Sequence, residues 1–197
     1  MAPKLKICGI TRLEDARFCA AAGADYLGFI QHDKSPRYVE PSRAKQIIDW
    51  VYGPQAVGVF VNASADAVNR SASEAGFALV QLHGDETPEL CAEIELPVIK
   101  AVRIQKCWTA GDVRRALIPY AGVADYFLLD TYSETAHGGT GETFAWQAAG
   151  GLGEEFKIFL AGGLSALNIG EAVVAVRPFA VDLSSSVESE PGHKDLD

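Results

Sequence analysis

A chain of 197 residues, 48% of them hydrophobic, is long enough to bury one sizeable core and short for two, so a single domain over 1–197 is expected. Its 17 Lys and Arg against 26 Asp and Glu give a formal charge of −9, which argues against a general nucleic-acid or anionic-membrane surface; any anionic ligand has to be caught locally. No apolar run approaches the roughly 20 residues of a membrane span, the start MAPKLKICGIT lacks a signal peptide's apolar stretch, and Cys8, Cys19, Cys91 and Cys107 form no CxxC pair, so the expectation is a cytoplasmic protein with reduced thiols and no metal site.

Taken in chain order, short apolar runs alternate with helical patterns. Leu5–Ile10 reads as a strand, then Leu13–Ala22 as a helix, Tyr26–Ile30 as a strand and Pro41–Val51 as a helix. The pattern continues with strands at Val57–Val61, Leu79–His83, Val98–Val102, Tyr126–Asp130, Lys157–Leu160 and Ala180–Leu183. Helices are expected at Ala65–Ala75, Pro88–Ile94, Asp112–Ile118 and Ser165–Val176. Strands apolar nearly throughout imply burial on both faces, hence a parallel sheet covered by helices. Eight βα units close naturally into a (βα)8 TIM barrel, whereas an open doubly wound sheet more often has about five or six strands.

In such a barrel, reactive groups sit at the C-terminal ends of strands. Cys8 ends the first strand next to Gly9, well placed for proton transfer; the plain alternative, applied to Cys19, Cys91 and Cys107, is a small buried hydrophobe. Asp130 is the sole charge of Tyr126–Asp130 and ends it, either as an Asx turn or as a general acid of raised pKa. Asp182 sits within the last strand as a binding group, and Gln81 and His83, two apart, share one face of the fourth. Arg37 follows the second strand, as a solvated loop cation or as a bidentate partner for a substrate carboxylate. Three turns follow the last three strands: one with Gly139, Thr140 and Gly141, one with Gly162 and Gly163, one with Ser184 and Ser185. Together they resemble a phosphate cradle, where backbone N–H groups approach an anion.

The stretches Lys6-Ile7-Cys8-Gly9-Ile10-Thr11, Ser35-Pro36-Arg37-Tyr38-Val39, Val80-Gln81-Leu82-His83-Gly84, Leu128-Leu129-Asp130-Thr131, Gly138-Gly139-Thr140-Gly141 and Val181-Asp182-Leu183-Ser184-Ser185 occur in the order and spacing of one family. On these motifs the chain resembles the phosphoribosylanthranilate isomerases from end to end. The resemblance implies the cofactor-free Amadori rearrangement of N-(5-phosphoribosyl)anthranilate in tryptophan biosynthesis. It further implies Asp130 as the acid at the ring oxygen, Cys8 as the thiolate base at C2, Arg37 on the anthranilate carboxylate, and His83 and Asp182 lining the pocket. A thiol with an ordinary pKa near about 8.5 is mostly protonated at neutral pH, so a site that favours the thiolate is expected. The partner is a phosphorylated small molecule, with a monomer or a homodimer both open.

The chain departs from the family at Glu142, Ala145 and Ser186, where Lys, Asp and Gly are usual. Glu142 places negative charge beside the expected phosphate site, and Ser186 is expected to adopt a backbone conformation that glycine accepts more easily. Pro191-Gly192-His193-Lys194-Asp195 normally leads into a last helix, so the final helix is expected to be missing, with apolar outer surface of the first and eighth strands exposed or covered by a partner. Two rival readings stand beside this one. A related barrel isomerase of histidine biosynthesis is expected to carry Asp at the position of Cys8, and a non-catalytic phosphometabolite binder has no need of both Cys8 and Asp130.

Overall fold

A computed structural model describes residues 2–131 and 146–196. Eight parallel strands, β1 (Lys4–Cys8), β2 (Tyr26–Ile30), β3 (Gln55–Phe60), β4 (Leu79–Leu82), β5 (Val98–Ile104), β6 (Tyr126–Thr131), β7 (Ile158–Leu160) and β8 (Ala180–Leu183), pair in sequence order and close on themselves, β8 against β1. Outside them lie α1 (Leu13–Ala21), α2 (Pro41–Ile48), α3 (Ala65–Ala75), α4 (Pro88–Ala92), α5 (Ala110–Leu117) and α6 (Ile169–Val176). Local chemistry sets the helix starts. The Ser64 and Thr87 hydroxyls accept the amides of Ala67 and Leu90, Thr109 and Asp112 form a reciprocal capping box, and Pro41 and Pro88 occupy first-turn positions where no amide is needed.

Closure divides each strand into two buried sets. One set, including Tyr26, Val57, Leu79, Ile99, Leu128 and Phe159, fills the barrel interior, while residues such as Ile7, Leu27, Phe29, Val80, Leu82 and Leu129 pack outward against the helices. Burial on both faces is what the near-continuous apolar runs predict. The N-terminal mouth is plugged by Tyr26, Tyr126, Phe159 and Phe179, with the Lys4 ammonium 5.4 Å from the Tyr26 ring centroid. The C-terminal mouth is therefore where a small ligand can enter.

Three features depart from the sequence reading: a hairpin after β8, the extent of the apolar strip on β1 and β8, and Cys107. Beyond β8 come a 3-10 turn (Ser185–Val187) and an antiparallel hairpin of β9 (Glu188–Glu190) and β10 (His193–Lys194), and among the described residues no α-helix follows. Leu5 and Leu183 on the outer side of β1 and β8 are half-buried, so the exposed apolar strip expected there is only partial. Cys107, read as a buried hydrophobe, is exposed; Cys8, Cys19 and Cys91 are buried, and all four are free thiols. No helix among the described residues is long and apolar enough to cross a membrane.

A buried ion pair fixes the loop after β4. Lys100 Nζ lies 2.8 Å from Glu86 Oε2 and also donates to the Gly84 and Leu82 carbonyls, while Glu86 accepts the amides of Asn62 and Gly84. Burial pushes the Glu86 carboxyl up, but the hydrogen bonds from Lys100 and the Asn62 amide outweigh it and hold it below its ordinary value. Lys100→Met leaves a buried carboxylate without its cation and is expected to cost about 3 kcal/mol, roughly 10 °C in melting temperature, by thermal unfolding at pH 7. Because the folded pKa is depressed, the penalty is complete above the unfolded glutamate value of about 4.3 and fades as pH falls through the folded one.

Candidate active site

Alternation along a strand carries the polar residues inward at the C-terminal mouth. Cys8 ends β1, Asp130 lies at the end of β6, Asp182 lies in β8, and Gln81 and His83 lie in and just after β4. All are positions chosen from the sequence, and closure of the barrel brings them to one mouth.

The deepest part is a cation the sequence reading passed over. Lys6, fully buried in β1, lies opposite Asp182 in the β1–β8 register, and its Nζ donates to Asp182 Oδ1 at 2.8 Å. It stands two residues before Cys8, on the same inward face, close enough for its ammonium to act electrostatically on the Cys8 thiol. Gly28, Cys8's neighbour on β2, makes room: a Cβ there would stand 2.8 Å from Cys8 Sγ and 3.2 Å from Lys6 Nζ. The signal available in the sequence was a lysine inside an apolar strand at a spacing of two from the cysteine.

Burial works against the expected Cys8 thiolate in the ligand-free molecule. Burial pushes the Cys8 thiol up, and the Lys6 ammonium only partly draws it back. Burial likewise raises the Asp182 carboxyl against the pull of Lys6, while Lys6, despite the cost of burial, is held above its ordinary value by Asp182 and Cys8. Iodoacetamide labelling of Cys8, separated from exposed Cys107 by peptide mass, is therefore expected to be slow at pH 7 and to keep rising beyond pH 9, about the ordinary thiol value. A plateau near neutral pH would contradict this.

Across the mouth runs a second chain of contacts. Gln81 Nε2 is 2.7 Å from His83 Nδ1, and His83 Nε2 is 3.2 Å from Asp130 Oδ2. An amide N–H donated to Nδ1 leaves the ring proton on Nε2, facing Asp130. Gln81 is buried and turned toward His83, and its Oε1 has no partner among the described residues; His83 and Asp130 are partly open, at 24% and 30% side-chain exposure. Arg103, opposite Asp130 in register, donates to the His83 carbonyl at 3.3 Å. It was missed because β5 runs on to Ile104, two residues past the end expected from its apolar run.

Arg37 is no solvated cation: it pairs with Glu188 through Nε and Nη2, the latter at 2.6 Å from Oε2. Of the phosphate candidates, Gly162 and Gly163 both take left-handed φ values, 76° and 66°, which a side chain rarely adopts, in the loop after β7. Ser184 and Ser185 lie after the adjacent β8, and the Ser184 hydroxyl donates to the Cys8 carbonyl at 3.3 Å. Gly139, Thr140 and Gly141, with Glu142 and Ala145, lie outside the described residues. The strained backbone expected at Ser186 is not found: it sits in a 3-10 turn, and Asn62 and Arg177 are the non-glycine residues with positive φ among those described.

Residues 5–197 match the sequence profile of the N-(5'-phosphoribosyl)anthranilate isomerases. The chain belongs to this family. Curated phosphoribosylanthranilate isomerases similar to it include those of Citrifermentans bemidjiense, 48% identical over 98% of this chain and 91% of the relative, and Geobacter metallireducens, 49% identical over 98% and 93%. Among solved structures, the Thermotoga maritima isomerase superposes with a TM-score of 0.89 at 42% identity, covering 100% of this chain and 94% of that one. A phosphoribosylanthranilate isomerase in complex with reduced 1-(o-carboxyphenylamino)-1-deoxyribulose 5-phosphate gives 0.85 at 40%, with the same coverage. The Thermotoga maritima isomerase thus shares this chain's overall fold.

Proposed function

We propose that the chain isomerises N-(5-phosphoribosyl)anthranilate to 1-(2-carboxyphenylamino)-1-deoxyribulose 5-phosphate, in tryptophan biosynthesis, with Cys8 and Asp130 as base and acid. The observation that carries the assignment is the mouth itself: a buried thiol beside a buried ammonium on β1, facing a carboxyl on β6 that a histidine braces. Asp130 gives its proton to the ribose ring oxygen as the C1–O bond breaks, and the aryl nitrogen's electron pair forms the C1 iminium. Cys8, as its thiolate, then takes the C2 proton, the C–H electrons form the C1–C2 double bond and the iminium pair returns to nitrogen; the enol next takes a proton at C1 and loses its hydroxyl proton to become the ketone. C1 is reduced and C2 oxidised within one molecule, so electrons balance without an external oxidant. β1 and β6 lie on different sides of the mouth, as an acid and a base on opposite faces of the sugar require.

In this reading Arg37 holds the anthranilate carboxylate, while His83 and Asp182 line the pocket and Gln81 fixes the His83 ring. Gly162, Gly163, Ser184 and Ser185, with Gly139, Thr140 and Gly141, take the phosphate through backbone amides and hydroxyls. A single domain over 1–197 acts in the cytoplasm on this phosphorylated small molecule, as monomer or homodimer and without nucleic acid.

The test is turnover of freshly generated phosphoribosylanthranilate, followed by loss of anthranilate-type fluorescence, beside titration with the reduced product analogue. Turnover with analogue inhibition supports the isomerase; analogue binding with no turnover replaces it by the non-catalytic binder.

A further inference from the structure

The β9–β10 hairpin folds back onto the end of β1. Lys194, 5% exposed, donates through Nζ to the Cys8 carbonyl at 2.6 Å, to Glu188 Oε1 at 2.9 Å and to the Ser184 carbonyl at 3.4 Å, and its backbone amide is held by Asp15 Oδ2 at 3.1 Å. At the hairpin turn, the Thr11 hydroxyl donates to the Gly192 carbonyl. Glu188, whose side chain is 3% exposed, then grips Arg37 along the Nε and Nη2 edge. A guanidinium has five N–H donors in a rigid fork. This side-on pairing uses the Nε hydrogen and one on Nη2, and leaves the Nη1 edge, with no partner among the described residues, for a second carboxylate. A Cβ on Gly9 would come within 2.8 Å of Arg37 Cδ and 3.2 Å of Glu188 Oε1, so the pair lies directly over the residue that follows Cys8.

We infer that Glu188, anchored by Lys194, is a positioning residue that sets the plane of Arg37 so that its free edge receives the substrate's aryl carboxylate beside Cys8. The inference rests on the reading of Arg37 as the carboxylate ligand. Two effects of Glu188 oppose each other. Its negative charge weakens the local attraction for an anion, while its bidentate grip removes the freedom of a long side chain that must otherwise be ordered at each binding event. Burial pushes the Glu188 carboxyl up, yet the hydrogen bonds from Arg37 and Lys194 hold it below its ordinary value, so it is ionised at neutral pH and grips throughout. With both carboxylate oxygens engaged and Lys194 as a fixed second anchor, ordering outweighs field.

The experiment compares wild type, Glu188→Gln, Glu188→Asp and Arg37→Met in steady-state kinetics and in titration with the reduced product analogue and its counterpart lacking the aryl carboxylate. Glu188→Gln is expected to raise KM and weaken the carboxylate analogue about tenfold, with kcat falling about threefold at most and binding of the decarboxy analogue unchanged. Glu188→Asp, which keeps the charge but shortens the reach, falls between and serves if Glu188→Gln does not fold. Equal weakening of both analogues would make Glu188 merely structural, and tighter binding of the carboxylate analogue would make it a competitor for Arg37; either overturns the inference. If Arg37→Met itself fails to discriminate the two analogues, the reading of Arg37 falls and this inference with it. If Arg37→Met discriminates and neither Glu188 variant does, only the inference falls.

Discussion

Cys8→Ala and Asp130→Asn are each expected to lower kcat/KM for phosphoribosylanthranilate by about 10³- to 10⁴-fold, the upper range of what one positioned acid or base contributes. Neither change should unfold the barrel. Cys8 to alanine removes one buried sulfur, worth about 1 kcal/mol of packing, and Asp130 to asparagine keeps the shape of a partly exposed side chain. The two losses fall on different steps, so a substrate deuterated at C2 separates them. Cys8→Ala makes proton abstraction slower and should show a full primary isotope effect. Asp130→Asn makes ring opening slower and should suppress it. Retention of more than a tenth of wild-type activity by either variant, or the same isotope effect in both, would remove that residue from its role.

Lys6→Met should be nearly as severe through a fully buried group two residues before Cys8. The variant removes the ammonium that partly offsets burial at Cys8 and strands the Asp182 carboxyl, 8% exposed, without its 2.8 Å partner. Both consequences act in one direction: the Cys8 thiol rises further, and Asp182 takes up a proton. A fall in kcat/KM of about 10²- to 10³-fold is expected, with a stability loss of about 3 kcal/mol, moderated because Asp182 can be neutralised. The companion Lys6→Met/Asp182→Asn separates the two effects. Removing both charges should restore much of the stability and little of the activity, and the limb on which activity rises with pH should move to higher pH in both variants. Activity recovered together with stability would reduce Lys6 to a structural ion pair.

The sequence alone determined the barrel and most of the mouth, for a local reason. Strand positions repeat every second residue and helix starts carry their own caps, so eight apolar runs, together with Ser64, Thr87 and Thr109, locate the elements without long-range information. The same alternation, with the rule that barrel chemistry sits at strand ends, singled out Cys8, Gln81, His83, Asp130 and Asp182. Where local signals were weak, the reading was incomplete: β5 extends to Arg103 and Ile104, and the segment expected to lead toward a helix forms a hairpin around Gly192, φ 87°. Tertiary structure decided which charges meet. Lys6 with Asp182 and Lys194 with Cys8 are contacts across 176 and 186 residues, and Arg37 with Glu188 one across 151. No periodicity encodes such pairings; they exist because closing β8 onto β1 brings the two ends of the chain to one side of the barrel mouth, where buried charges must find partners.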